Sequence, residues 1–409
     1  MEKELLSTQG RVPAVKSPGD PENARRINTA LVLNSLRQED LLSRVQIARR
    51  LRLSKMTVSA IVSDLISAEI VSEFGRGDAK ETGGRRPILL TLDPASKFVV
   101  GVDIGTTNTV VAIGNLRGEL VGKTRRPTTR NHAVEGIVEQ VSSMLAETVG
   151  SAGVDGERIL GIGLSVAGLV DRESGHILLS PDLNWHDVPI REILHAKTGR
   201  EVVVDNCTRV MTLGERWYGG ARNVRNLFYV NVGYGIGSAI IVNGEIYGRN
   251  SEFGHLFITQ QPVRCDCGNL GCLEAVSSGQ AIERMANEQL GTASQGWITV
   301  QQLAQLSRDG NATATSIFRN AGKYLGRAIS VVANLYNPEK IILGGGVALA
   351  GDLLLDPLIE EYHRHVMSVI RDTTSIELSS LGIDAGVIGA AALALNSFVF
   401  QIEHINHLL

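Results

Sequence analysis

The stretch that decides the fold is EFGHLFITQQPVRCDCGNLGCLE, residues 252–274. It contains three of the chain's four cysteines, Cys265, Cys267 and Cys272, and His255 lies ten residues before the first of them. Three thiolates and one imidazole complete a tetrahedral zinc shell that leaves no position for a catalytic water. Clustered cysteines in a long chain favour metal binding over a disulfide framework or incidental thiols. The stretch therefore predicts a structural zinc site.

Two carboxylates flank the predicted metal site. Glu252 precedes His255 by three residues, and Glu274 follows Cys272 by two. A metal that fixes this loop also fixes both carboxylates, which can then accept hydrogen bonds from sugar hydroxyls. The same stretch thus predicts a polar ligand site beside the metal.

The length and composition indicate a soluble protein of two or three domains. The 409 residues exceed a single domain of roughly 150 residues. The chain is 43% hydrophobic and 20% charged, and no apolar run reaches the roughly 18 residues of a transmembrane helix. The N-terminus, MEKELLSTQG, lacks the apolar segment of a secretory signal. We therefore expect a cytoplasmic protein without a membrane partner.

Charge is distributed unevenly along the chain. Residues 1–92 carry 15 Lys and Arg against 11 Asp and Glu, whereas the remainder carries 25 against 32. A mildly basic N-terminal region followed by an acidic remainder indicates that the N-terminal region binds nucleic acid. The charge imbalance is too small to decide the function without motifs.

The N-terminal region predicts three helices after a disordered lead-in at residues 1–21. Ser43 and Ser54 are good N-caps for the second and third helices, which are separated by a tight turn. Val45 is expected to face inward from the second helix. In the third helix, the apolar stripe that should pack inward consists of Val58, Ile61, Val62, Leu65 and Ile66.

Two helices separated by a tight turn are typical of a helix-turn-helix, in which early residues of the last helix reach bases or phosphates. Lys55, Thr57 and Ser59 occupy those positions. Residues 70–74 and 88–92 then predict two paired strands, and the Gly- and Arg-rich segment between them contains Arg85 and Arg86. Such a tip can enter the minor groove of A·T-rich DNA. The alternative is a flexible basic linker.

The remaining sequence predicts α/β lobes with a ligand cleft at the strand ends. Strands run repeatedly into glycine turns, at residues 98–108, 161–171, 230–237 and 341–347. The turn Asp103-Ile-Gly-Thr-Thr can hold phosphate, with Asp103 near a nucleotide metal, but it can equally be an ordinary glycine turn. From Gly386 the sequence predicts a long helix that packs on the first lobe or binds a partner.

These motifs together resemble the ROK family (repressors, open reading frames and kinases), in particular its DNA-binding repressor branch. The resemblance extends from about residue 23 to 395. It rests on the Gly84-Arg-Arg-Pro segment, the Asp103 turn, the Glu252-Phe-Gly-His motif and the cysteine cluster.

The resemblance implies a winged helix-turn-helix at 22–95 and a two-lobed actin/hexokinase-like body. The first lobe would comprise 96–204 and 386–409, and the second, with the sugar and zinc sites, 205–385. The family's zinc ligands fall on His255, Cys265, Cys267 and Cys272, and its sugar-binding residues fall on Asn206, Glu252, His255 and Glu274.

The sequence departs from the kinase branch of the family at Cys207, at Tyr234 and in the first phosphate loop. The catalytic base of those kinases is an Asp, but here the position is Cys207, and a thiol is a poor proton acceptor near neutral pH. Tyr234 stands where kinases have a phosphate-facing Thr, and the first loop reads Gly-Thr-Thr-Asn instead of Gly-Gly-Thr-Lys. These changes argue against ATP binding and catalysis, although Asp103 and the 344–346 glycine turn are retained.

We therefore expect a non-enzymatic, sugar-responsive repressor. A homodimer or tetramer would bind a pseudo-palindromic double-stranded DNA operator, and a sugar or sugar phosphate would be the effector. The first alternative is an active ATP-dependent sugar kinase with an appended DNA-binding domain. The second is a sugar-binding adaptor, which would have no operator affinity.

Overall fold

The computed structural model describes residues 21–76, 86–129, 131–291 and 296–401. The chain divides into two compact units, Met1–Lys97 with Leu395–Leu409, and Phe98–Ala394. The sequence predicts that residues 386–409 all belong to the first lobe; of these, the structure groups the described residues 395–401 with the N-terminal unit, and residues 402–409 lie outside the described residues. The lead-in falls outside the described residues except for Pro21.

The N-terminal unit contains three helices and a small antiparallel sheet of strand order β1-β3-β2. Its elements are α1 Pro21–Gln38, β1 Leu42–Ser43, α2 Arg44–Leu51, α3 Lys55–Ser67, β2 Val71–Arg76 and β3 Ile88–Leu92. Residues 77–85, which contain the tip of the predicted wing, lie outside the described residues. The two predicted strands on either side of the tip are present and paired, with Val71 opposite Leu92.

Local hydrogen bonds explain where α2 and α3 begin. Ser43 and Gln46 form a capping box at α2, and Ser54 Oγ accepts the N–H of Thr57 at α3. Arg52 adopts a left-handed conformation with φ of 56° between the two helices, which gives the tight turn. Both N-caps agree with the sequence. Val45 is exposed, contrary to expectation, because Ile47 occupies the core instead.

The last part of the N-terminal unit contacts its first helix. Residues Asn396–Phe400 form a short π-helix. Asn34 donates a hydrogen bond to the carbonyl of Phe400 at 3.1 Å, and the Arg37 guanidinium lies 5.6 Å from the Phe400 ring. These contacts explain why the C-terminal residues belong to this unit.

The body consists of two lobes, each with a five-stranded sheet. The first lobe contains β4 Phe98–Ile104, β5 Asn108–Asn115, β6 Leu120–Pro127, α4 Val134–Ala152, β7 Ile159–Val166, β8 Leu169–Asp171, β9 His176–Ser180, β10 Trp185–Val188, α5 Ile190–Thr198 and β11 Val202–Asn206. Strands β8 to β10 form a separate small sheet.

The second lobe contains most of the helices of the body. Its elements are α6 Cys207–Tyr218, β12 Leu227–Val232, β13 Ile236–Val242, β14 Glu245–Ser251, α7 Leu273–Ser277, α8 Gly279–Leu290, α9 Val300–Arg308, α10 Ala312–Tyr336, β15 Lys340–Gly344, α11 Asp352–His365, α12 Ser368–Arg371 and β16 Ser375–Leu378. Helix α13, Ala385–Leu395, follows.

The two large sheets share one topology. The orders are β6-β5-β4-β7-β11 and β14-β13-β12-β15-β16; in each, the first three strands are antiparallel and the last two are parallel to the central strand. No simple sequence repeat reveals this duplication, because the topology depends on hydrophobic pattern rather than residue identity. In such sheets, ligands bind beyond the carboxyl ends of the parallel strands.

Two glycines allow helix α13 to lie against the first sheet. A Cβ atom on Gly101 would come within 2.5 Å of the Val387 carbonyl oxygen, and one on Gly163 within 2.0 Å of the Ala390 oxygen. The predicted packing of this helix on the first lobe is therefore correct through Ala394. The described residues include one segment long and apolar enough to cross a membrane, Gly382–Phe400, but 72% of its most apolar window is buried, as in a core helix.

Candidate functional site

The four predicted metal ligands lie together in the second lobe. One ligand atom from each of His255, Cys265, Cys267 and Cys272 lies within 4.8 Å of the other three. The Cys265 Sγ to His255 Nδ1 distance and the Cys267 Sγ to Cys272 Sγ distance are both 3.7 Å. A tetrahedral ion with Zn–S bonds of about 2.3 Å separates two sulfurs by about 3.8 Å. The cluster could therefore hold a metal ion of this size.

Two left-handed glycines shape the loop that carries the cysteines. Gly268 has φ of 92° and donates its N–H to the Cys265 carbonyl at 2.9 Å. Gly271 has φ of 75°, and a Cβ atom there would lie 2.2 Å from the Thr259 carbonyl oxygen. Both positions favour glycine, which explains why the cysteines are spaced by glycines in the sequence.

Glu274 connects the cysteine loop to the turn at 233–235. Its Oε2 accepts the Ile236 backbone N–H at 2.7 Å, and its Oε1 lies 4.0 Å from His255 Nδ1. Burial raises the pKa of Glu274, whereas the Ile236 hydrogen bond and His255 act in the opposite direction. The carboxylate, on α7, is thus held in place by the backbone at the start of β13.

His255 presents its two ring nitrogens to different partners. Nδ1 faces Cys265, and Nε2 lies 3.9 Å from the exposed carboxylate of Glu252. The imidazole is suited to bind a metal through Nδ1 and a hydroxyl group through Nε2. This geometry brings Glu252, His255 and Glu274 together beside the cysteine cluster.

Asn206, the fourth predicted sugar ligand, ends β11 and caps α6. Its Oδ1 accepts the backbone N–H of Thr208 at 2.9 Å, and its Nδ2 donates to the Gly168 carbonyl at 2.8 Å. A Cβ atom on Gly237 would lie 2.3 Å from Thr208 Oγ1, so the start of α6 packs closely on β13. Asn206 is therefore an anchored amide between β11 of the first lobe and α6 of the second.

A buried ion pair that the sequence reasoning missed lies next to Asn206. The Arg209 Nε atom is 3.0 Å from Asp205 Oδ1, and both side chains are at most 10% exposed. Arg209 also donates to the Gly248 carbonyl on β14 at 2.8 Å. The opposite charges four residues apart on a helix start are a usable signal, but the link to β14 is tertiary.

Cys207 is the first residue of α6 and lies near two acids. Burial raises the pKa of the Cys207 thiol to about 12, and the negative charges of Asp103 and Asp182 add to this effect. Burial also raises the pKa of Asp103, although the Ser165 hydroxyl donates to its Oδ1 at 2.6 Å. The thiol therefore stays protonated near neutral pH and is a poor proton acceptor.

The N-terminal unit exposes the beginning of α3. Lys55 and Ser59 are exposed, and Met56 between them is 85% exposed. The Thr57 hydroxyl is half-buried and lies 2.8 Å from Ser54 Oγ, so it is partly engaged within the helix cap. Arg86 is exposed, whereas Arg85 lies outside the described residues. These helices fit a DNA-binding domain.

The sequence of the two-lobed body identifies the family of the protein. Residues 99–397 match the family model named ROK family. The chain belongs to the ROK family. Its α/β body accordingly has the actin/hexokinase-like fold that the sequence resemblance implies, and this fold accounts for the two sheets of equal topology.

Relatives within the ROK family include regulators and kinases. A putative xylose repressor from a Caldicellulosiruptor species is 30% identical over 92% of this chain and 97% of its own. A glucokinase from Halalkalibacterium halodurans is 32% identical over 73% of this chain and 95% of its own. The crystal structure of a ROK family transcriptional regulator, a homolog of the E. coli MLC protein, aligns with a TM-score of 0.78 and 26% identity, over 91% of this chain and 97% of the other.

Proposed function

We propose that this ROK protein is a sugar-responsive transcriptional repressor without kinase activity. The observation that carries the proposal is the extent of the alignments. The xylose repressor relative matches 92% of this chain, whereas the glucokinase relative matches 73%. The N-terminal unit, with its exposed α3 and β-hairpin, is the part that a DNA-binding protein requires and a sugar kinase does not.

The proposed DNA contacts are Lys55, Thr57, Ser59, Arg85 and Arg86, in a winged helix-turn-helix. A homodimer would place two such units on the half-sites of a pseudo-palindromic operator. Phosphate contacts from the basic residues would make the operator affinity fall steeply with salt concentration. The protein would then act in the cytoplasm, where the operator and the effector are found together.

The proposed effector site consists of Asn206, Glu252, His255 and Glu274, and the cysteine cluster with His255 would hold a structural zinc ion. Zinc in this site would fix the positions of the two carboxylates without taking part in chemistry, because all four of its ligands are protein side chains. The sugar releases DNA only if it binds the DNA-free conformation more tightly than the DNA-bound one.

The full-length protein tests this proposal in a DNA-binding assay. We expect footprints upstream of its own gene or of neighbouring genes, and we expect one sugar from a panel including D-xylose and D-glucose to weaken them. Glu274→Gln should keep operator affinity and lose the sugar response, whereas Glu147→Gln on the exposed side of α4 should keep both. An absence of operator binding in every condition would favour a sugar-binding adaptor instead.

The glucokinase relative makes a sugar kinase the second candidate, and Cys207 distinguishes the two. The pKa of the Cys207 thiol is raised to about 12, so at neutral pH it supplies no base for phosphoryl transfer. We expect no ATP-dependent phosphorylation of D-glucose or D-xylose by the purified protein. Measurable turnover would overturn the proposal, and a gain of activity in Cys207→Asp would support it.

A further inference from the structure

A pocket of about 440 Å³ lies beside the proposed sugar site, on the α8 side of Glu274. Two exposed aromatic side chains line it, Tyr234 and Trp297, which are 42% and 61% exposed. Most of the other lining residues are polar or charged, namely Arg264, Asp266, Glu274, Ser278, Gln280, Glu283 and Arg284, and the rest are Cys265, Ala275 and Ala281. The volume is within the range of small-molecule sites.

Both aromatic residues are fixed to helix α8. The Tyr234 carbonyl accepts the Gln280 backbone N–H at 3.1 Å, at the beginning of the helix. Trp297 Nε1 donates to Glu283 Oε2 at 3.1 Å, and Glu283 Oε1 accepts the Val300 N–H at 3.0 Å. The Trp297 ring and the Tyr234 backbone are therefore held against α8, which lowers the entropy cost of binding a ligand here.

The charges of the lining favour a neutral ligand. Two arginines, Arg264 and Arg284, are outnumbered by the carboxyl groups of Asp266, Glu274 and Glu283. The adjoining cluster of three thiolates and one imidazole would leave no net positive charge around a divalent ion. Arg284 is already bonded to the Ala275 carbonyl at 2.9 Å. A phosphate or a nucleotide would thus enter a pocket of net negative charge.

A site that combines polar groups with aromatic faces recognises sugar rings. The sugar hydroxyls need hydrogen bonds, and the C–H faces of the sugar pack on aromatic rings. Among the described residues, the Arg264 guanidinium has no hydrogen bond or ion pair, so it is available to a hydroxyl group. Glu274 is shared between this pocket and the proposed sugar site, so one ligand can reach both.

We propose that this pocket binds the second ring of a neutral disaccharide effector, whose terminal ring occupies the site of Glu252, His255 and Glu274. The inference rests on the proposed sugar-sensing function and specifies its ligand: a glycoside of two or more units rather than a monosaccharide or a sugar phosphate. Tyr234, at the position where family kinases have a phosphate-facing Thr, becomes a stacking surface.

Titration calorimetry on the full-length protein tests the inference with matched pairs, D-xylose with xylobiose and D-glucose with cellobiose. We expect one disaccharide to bind about tenfold more tightly than its monosaccharide. Trp297→Ala should bring the ratio of the two affinities toward one, Trp297→Phe should largely restore it, and Tyr247→Ala, an exposed aromatic outside the pocket, should leave it unchanged.

Tryptophan fluorescence gives a second readout. Trp185 and Trp217 are buried, so Trp297 should dominate a spectral change that the disaccharide produces and the monosaccharide does not. Equal affinities for both members of each pair would overturn the inference while the sugar-sensing proposal stands. Displacement of the bound disaccharide by ATP or by a sugar phosphate would overturn the assignment of a neutral ligand. An absence of any sugar binding would overturn both proposals.

Discussion

The backbone N–H of Ile236 donates a hydrogen bond to Glu274 Oε2 at 2.7 Å, across 38 residues of chain. This bond joins the loop of the cysteine cluster to the turn at 233–235. A carboxylate that is held by a backbone group keeps its direction when no ligand is bound, so the proposed sugar site is organised in advance.

Gly235→Ala should disturb this bond specifically. The added Cβ atom would lie 2.5 Å from Glu274 Oε2, and the flexible carboxylate must move away. We expect little change in the melting temperature and a decrease in sugar affinity of about tenfold or more, because a charge-assisted hydrogen bond is lost. Calorimetry with the best-binding sugar measures the effect. Gly150→Ala in α4, where a Cβ atom meets nothing within 4 Å, is the control, and equal affinities for both variants would contradict the prediction.

The cysteine cluster predicts about one equivalent of zinc per chain. Cys267→Ser should lose most of this zinc, whereas Cys207→Ser, which changes the cysteine outside the cluster, should retain it. Chelation should weaken sugar binding, because His255 and Glu274 lose their common support, and it should affect operator affinity less. Elemental analysis of protein purified with added zinc measures the metal. Equal zinc content in the two variants would disprove the assignment.

Asp205 and Arg209 form a buried ion pair in which each charge stabilises the other. Removing only the cation with Arg209→Met leaves a buried carboxylate without its partner, and we expect a loss of about 3–5 kcal/mol in the free energy of unfolding. The double variant Asp205→Asn with Arg209→Met should recover part of this loss. Denaturant unfolding of the wild type, the single variants Arg209→Met and Asp205→Asn, and the double variant gives the coupling energy, and additive effects would show that the pair is not a unit.

The sequence predicts those parts of the structure that depend on local chemistry. Ser43 and Ser54 cap their helices through hydrogen bonds to residues three positions away, and the four metal ligands lie within 18 residues of chain. Long-range contacts leave no such local signal. The Ile236–Glu274 bond and the Arg209–Gly248 bond each join distant segments, so neither was expected.

The same limit applies to the pocket and to the C-terminal segment. Trp297 becomes a lining residue only because Glu283 holds it against α8, and the sequence shows it as a solitary aromatic. Residues 396–400 continue the apolar pattern of α13, so periodicity alone gives no reason to separate them from the first lobe. Their grouping depends on contacts with Asn34 and Arg37.

Asp103 predicts a pH dependence of stability. Burial raises the pKa of this carboxyl, so the folded protein holds the proton more tightly than the unfolded chain. The resulting stabilisation is present below the unfolded pKa and is lost as the pH rises through the folded pKa. Asp103→Asn should therefore match the wild type near pH 4 and melt at a higher temperature near pH 8. The gain should be about 2–4 °C for each tenfold difference in proton affinity between the folded and unfolded chains.

The measurement is differential scanning fluorimetry across this pH range. Ser165 and Arg125 lower the pKa of the Asp103 carboxyl against the effect of burial, and neither residue changes in the variant. Asp356→Asn on the exposed side of α11 is the control and should show no such widening with pH. A difference between Asp103→Asn and the wild type that stays constant over the range would contradict the assignment.

Lys55 and Met56 should contribute to DNA binding in different ways, although they are neighbours at the beginning of α3. A lysine that contacts phosphate adds affinity for every sequence, so Lys55→Ala should weaken binding uniformly and reduce the salt slope by about one. Met56 is 85% exposed and apolar, which suits contact with a thymine methyl group. Met56→Ala should therefore cost about 1–3 kcal/mol at a single operator position and relax base preference there. Binding of a set of operators with single-base changes, at several salt concentrations, separates the two effects. A uniform loss from Met56→Ala, with the base preferences unchanged, would exclude direct base contact by this side chain.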